Sequence, residues 1–328
     1  MTTATREPMV RTPQEGRRPP SRQALGLVWA AFILLALFAL DLLPLRGWAA
    51  VVVAAGTALA LGSVLFAGNV RWVRVAPDGR DLAAVALSYI GVVVALRIAF
   101  VVFTPERTLG MFLFFAGGLL LGVAGPVVYT VWVHRRPLRD LGVGLHNLRA
   151  TLPLALLLGA AQFAVTLWGY ELPAPEGWVP LLVMALTVGL FEALFFRGFI
   201  QGRLEASFGT VPAVVGAAGL YALYHVGYGM GPGELWFLFG LGIVYAIAYR
   251  LAGNILVLWP LLIPLGSFFN NLEAGDIELP WASIAGFADV LALMALVLWL
   301  ARRRQRRQEA RVLSPIGKSA LPHEKVPR

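Results

Sequence analysis

From about Leu25 to about Ala301 the chain is a succession of apolar runs of roughly 20 residues, each closed by a charged or Pro/Gly-rich break. A helix needs roughly 20 mostly apolar residues to cross a bilayer, and backbone polar groups in lipid must be satisfied internally. Segments of this kind in series therefore predict an all-α, polytopic transmembrane helical bundle. With 59% hydrophobic and 14% charged residues, a soluble fold of this length would have no place to hide its apolar surface. Membrane lipids are then the surrounding solvent.

The breaks divide the sequence into about ten spans: 25–43, 48–67, 82–103, 110–132, 150–170, 178–200, 210–228, 234–251, 254–272 and 282–301. Counting basic residues in alternate loops gives an orientation. With Arg197 assigned to a helix end, all but Arg46, Arg97 and Arg107 of the 27 Lys and Arg residues fall in the tails or in one set of alternate loops. The acidic residues Glu171, Glu176, Glu234, Glu273, Asp276 and Glu278 fall in the other set. An even number of spans with both termini cytoplasmic satisfies this distribution, and a bacterial plasma membrane is the expected location. Trp48, Trp132, Trp168, Trp178, Trp236 and Trp281 stand near the span ends, where an indole favours the interface.

Residues 1–23, with five Arg and four Pro, read as a basic disordered tail ahead of a retained anchor, without a clear signal-peptide cleavage site. Residues 302–328 form a second basic tail. The basic loop from His134 to Arg149 divides an N-terminal portion, 24–149, from a C-terminal six-helix portion, 150–301. The net charge of +9 is carried by loops and tails, a pattern of membrane orientation and not of nucleic-acid binding. There are no cysteines, so thiolate metal sites and cysteine nucleophiles are excluded. Gly118 and Gly122 form a GxxxG pair in the fourth span, read as close packing within the bundle in preference to a dimer contact.

Ionisable groups at membrane depth are costly and mark functional candidates. Here they are Asp41, Arg97, Glu192, Arg197, His225 and Asp289, accompanied by Asn270 and Asn271. Asp41 lies near a span end and Arg97 is long enough to snorkel, so both read as structural. Glu192 and His225 sit in adjacent spans. A carboxylate and an imidazole in a partly dry site are suited to activating a water, and equally to pinning two helices together. His225 is the only histidine inside a span, so a three-histidine zinc site within the bundle is excluded. One Glu and one His leave a divalent metal such as Zn open as a cofactor.

The segment Phe191-Glu192-Ala193-Leu194-Phe195-Phe196-Arg197-Gly198 resembles the first motif of the CPBP intramembrane proteases, the CAAX-processing and bacteriocin-processing group, usually Glu-Glu-x-x-x-Arg followed by Gly. Tyr221-Ala222-Leu223-Tyr224-His225 resembles the second, Phe-x-x-x-His. The resemblance implies endoproteolysis of a membrane-associated protein or peptide. It assigns Glu192 and His225 to water activation, and Arg197 and Tyr221 to shaping the site, Arg197 through charge pairing.

Two departures stand out. The second motif glutamate is Ala193, which removes the acid one turn before Arg197. The third motif, His-x-x-x-Asn, falls on Pro264-Leu265-Gly266-Ser267-Phe268-Phe269-Asn270-Asn271, where Asn270 or Asn271 supplies the asparagine and no histidine precedes it. In the family that pair stabilises the oxyanion, and loss of one such donor costs about 10²–10³ in rate. Ser267, a backbone amide freed by Pro260 or Pro264, or a bound water could replace it. Two other readings stay open: a catalytically weakened or inactive scaffold or immunity protein on the same fold, and a transporter.

Counted from the cytoplasmic end of its span, Glu192 lies shallower than His225. For the two to meet, segment 201–212 must itself climb into the membrane or the seventh span must be displaced outward.

Overall fold

The computed structural model describes residues 75–103, 108–144, 172–256 and 278–313, with Leu156, Ala160, Phe163, Leu258, Trp259, Phe268, Asn271 and Leu272. Among them are six helices long and apolar enough to cross a membrane: α1 (Gly79–Val102), α2 (Leu109–Val133), α3 (Pro175–Phe208), α4 (Thr210–Tyr228), α5 (Pro232–Arg250) and α6 (Ser283–Ala310). The described residues contain no strand. The chain is an all-α integral membrane protein. The expected spans at 25–43 and 48–67, and Asp41, lie outside the described residues, as do most of 150–170 and 254–272. The structure thus supports six crossings of the ten expected.

α3 is the centre of the bundle. Leu190, Phe191, Ala193, Leu194, Phe195, Phe196, Phe199 and Ile200 are all buried, and they share one cluster with Val85, Val92 and Leu96 of α1 and Val123, Val127 and Val131 of α2. Ala217, Tyr221 and Tyr224 of α4, Leu241 and Tyr245 of α5, and Met294 of α6 complete it. The outer faces of α1 and α6 stay apolar and exposed, at Leu87, Ile90, Val94, Leu293 and Leu296, as lipid-facing surfaces should. Gly122 of α2 lies against Phe191. A Cβ there would stand 2.1 Å from the ring edge, so the GxxxG face is occupied by α3 within the chain.

The expected end of the sixth span at residue 200 is wrong in an informative way. The helix continues without a break through a π-helical stretch, Ala193–Gln201, and an α-helical turn, Gly202–Phe208. Gly209, at φ 86°, then makes a tight reversal into α4. Glu192 and His225 are nearly equidistant from this turn, each about 24 Å along its helix at 1.5 Å per residue. The mismatch in depth is removed because segment 201–208 is itself helix.

That extension carries polar groups, and most find partners on other elements, while Gln201 Oε1 and Arg203 Nε make no hydrogen bond among the described residues. Gln201 Nε2 donates to the Ala246 carbonyl at 2.8 Å and to Glu205 Oε1 at 3.1 Å. Glu205 pairs with Arg250 at 3.4 Å. Arg203 donates to Thr130 Oγ1 at 2.9 Å and stands 3.8 Å from Asp81, which also accepts from Tyr129 at 2.8 Å and from Arg136 at 2.9 Å. Partial burial lowers the basicity of Arg136 and the Asp81 carboxylate raises it. The carboxylate prevails and holds the guanidinium above its ordinary value.

Candidate active site

α3 and α4 place the motif residues. Glu192 closes the regular part of α3, immediately before the π-helical stretch, and is 6% exposed. A π turn adds a residue per turn and appears often at functional positions. His225 ends the α-helical part of α4 and opens a single 3₁₀ turn, His225–Tyr228, itself closed by Gly229 in the left-handed region. It is 7% exposed. Its Nδ1 lies 2.8 Å from the Tyr221 carbonyl. A carbonyl only accepts, so Nδ1 carries the proton, and in the neutral ring Nε2 is the nitrogen with a free lone pair.

The two helices meet through tyrosines. Tyr224 donates its hydroxyl to Glu192 Oε1, and Tyr221 reaches Glu192 Oε2 at 3.5 Å. The Tyr224 ring also packs on the His225 ring, with centroids 4.1 Å apart, and the Tyr221 ring lies 5.1 Å from it on another side. Carboxylate and imidazole are thereby held against one shared side chain. From α1, Arg97 Nη1 contacts the Val226 carbonyl at 3.4 Å, so this exposed arginine supports the turn that follows His225.

Arg197 is 1% exposed and lies with its guanidinium 5.0 Å from the centre of the Tyr221 ring. Its two terminal nitrogens make no hydrogen bond among the described residues. The guanidinium thus makes a cation–π contact. Ala193, at the position of the motif's second glutamate, is fully buried and offers no carboxylate.

Asn271 is helical and half-buried, and its neighbours Phe268 and Leu272 pack with Leu181, Met184, Ala185 and Val188 of α3, the stretch leading to Glu192. Trp259 donates from its indole to the Leu186 carbonyl at 2.8 Å. Ser267 and Asn270 lie outside the described residues. Asp289 is exposed on α6. Among the described residues no group of three or more His, Asp or Glu is placed to hold a metal ion. Glu192 and His225 fall short of the three protein ligands of an open catalytic zinc site.

Two features went unread in the sequence. Asp81 follows Arg80 and looks like a loop residue, yet it is buried at the start of α1. Tyr224, three positions past Tyr221, looks like one more aromatic in an apolar run. A tyrosine spaced three or four residues from a motif residue on the same helix face was the available signal.

The family of type II CAAX prenyl endopeptidases, Rce1-like, matches residues 174–261. This match supports assignment to the CPBP family. It spans α3, α4 and α5 and includes the Glu192 and His225 motifs. Neither the curated proteins nor the solved structures contain a match to the chain. The match covers 88 of the 328 residues, and over that stretch the chain is similar to CAAX-type prenyl endopeptidases.

Proposed function

We propose that the chain is an intramembrane endopeptidase in which Glu192 and His225 activate a water for attack on a peptide bond of a membrane-associated protein or peptide. The observation that carries this reading is the convergence of two buried motif residues from successive helices on the single side chain of Tyr224. In the proposed reaction Glu192 takes a proton from the water while His225 Nε2 orients it. The hydroxide adds to the carbonyl carbon, and the resulting oxyanion is stabilised by Asn270 or Asn271. On collapse the C–N bond breaks and the proton held by Glu192 passes to the leaving amine. A preference for prenylated C-terminal segments is part of the proposal, supported by the family match.

The same proposal places both termini on the cytoplasmic side of a bacterial plasma membrane, supported by the distribution of arginines. It assigns residues 150–301 as the protease portion and 24–149 as an accessory one. An inactive scaffold is the competing reading, favoured by Ala193 and by the absence of a histidine in 254–272.

The test is cleavage of an internally quenched, C-terminally prenylated peptide by the purified full chain in proteoliposomes. Glu192→Gln and His225→Ala should each lower kcat about 10²–10⁴-fold, the usual worth of general acid–base catalysis. Asn270→Ala or Asn271→Ala should lower it about 10²–10³-fold, whichever carries the oxyanion contact. Wild-type turnover shared by all four variants at equal protein level refutes the assignment of these residues, and a wild-type chain without turnover leaves the scaffold reading.

A further inference from the structure

We propose that Tyr224 is a positioning residue of this site, setting the orientation of Glu192 relative to His225; the inference rests on the proteolytic reading above. A glutamate at the end of a regular helical segment has three rotatable side-chain bonds, and burial alone does not choose among its rotamers. Tyr224 makes that choice, because its hydroxyl donates to Oε1. The remaining lone pairs of both oxygens are then free to receive a water. Tyr221 is the weaker donor, at 3.5 Å, and its ring face is engaged by Arg197.

The Tyr224 ring is itself fixed. It is 1% exposed and packed against Phe196, with centroids 4.7 Å apart, and against Tyr228 at 5.6 Å. It also covers one side of the His225 ring, while the Nδ1 contact to Tyr221 fixes the imidazole from the backbone side. One rigid phenol therefore touches both members of the pair.

Tyr224→Phe keeps the ring and deletes the hydroxyl, and so isolates this role. Misplacement of a catalytic group by about 1 Å costs on the order of 10²-fold. The expected result in the peptide cleavage assay is a 10- to 100-fold fall in kcat with KM within about twofold of wild type. In a Glu192→Gln background the same change should cause no further loss, because its effect runs through the carboxylate. Tyr89→Phe is the comparator: Tyr89 donates to the Leu220 carbonyl, so its loss should lower thermal stability and leave kcat within about twofold.

A Tyr224→Phe enzyme with wild-type kcat overturns the role of Tyr224 while leaving proteolysis intact. A parallel loss of kcat, KM and thermal stability, with further loss in the Glu192→Gln background, also overturns it, in favour of a core tyrosine. A wild-type chain without turnover removes the proteolytic reading, and the role of Tyr224 with it.

Discussion

Gly198→Ala offers a test of how tightly the motif helix is locked to its surroundings. A Cβ at Gly198 would stand 2.3 Å from the Leu141 carbonyl oxygen, and ordinary contact begins near 3.4 Å, so one side must retreat by about 1 Å. The Leu141 backbone has little freedom to do so. It ends a 3₁₀ turn, Leu138–Leu141, with Gly142 bonded back to Arg139, Val143 bonded back to Leu138, and Ile255 bonded to the Gly142 carbonyl. Overpacking of this kind costs about 1–3 kcal/mol, and the gain in helix propensity returns about 1 kcal/mol. With a backbone atom as the obstacle the upper end applies, a net loss of about 2 kcal/mol, or about 3 °C in thermal midpoint for a chain of this length. Gly219→Ala in α4 is the control. It meets nothing within 4 Å and gains up to about 1 kcal/mol from propensity alone. Melting of both purified variants in one detergent, followed by circular dichroism, should move the two midpoints in opposite directions. Since Gly198 adjoins Arg197, kcat of Gly198→Ala should also fall, by at most about 10²-fold. Equal midpoints for the two variants would refute the close approach of the Leu138–Leu141 turn to α3.

Gly122→Ala should lower stability by about 1–3 kcal/mol by driving into the Phe191 ring, and Phe191→Leu should restore part of the loss in the double variant. Asp81→Asn should cost about 3–5 kcal/mol, because it leaves Arg203 buried without its counter-charge. Replacing Arg203 by Met in the same chain should recover most of that midpoint if the charge is the cause. Gln201→Leu should remove a buried bond to the Ala246 carbonyl and lower stability by about 1–3 kcal/mol, with no effect on KM in the peptide assay.

The six described spans were readable because an apolar run of spanning length has few other fates, and their ends fall within a few residues of expectation except in α6, which runs to Ala310 through residues expected as tail from 302, and in α3. There the polar series Gln201, Arg203 and Glu205 looks like a cytoplasmic loop. It is helix because Ala246, Thr130, Asp81 and Arg250 answer those groups from other elements, and such pairings are invisible along the sequence. Glu192 and His225 stood out because an acid and an imidazole in adjacent apolar runs are costly enough to require a reason. Tyr224 was not, since a tyrosine in such a run has no comparable cost until its hydroxyl partner is known. The absence of an acid at position 193 was legible, but its outcome, a guanidinium resting on the Tyr221 ring, depended on the neighbouring helix.

The hairpin formed by α3 and α4 behaves as a pair of rulers hinged at Gly209. One residue inserted into either arm would slide its reactive side chain by about 1.5 Å and swing it by about 100° around the helix axis. Glu192 and His225 would then point into different quarters of the bundle. The length of chain from 192 to 225 is therefore under the same constraint as the identity of its two ends, and insertions in this region should be tolerated far less than substitutions of its lipid-facing side chains.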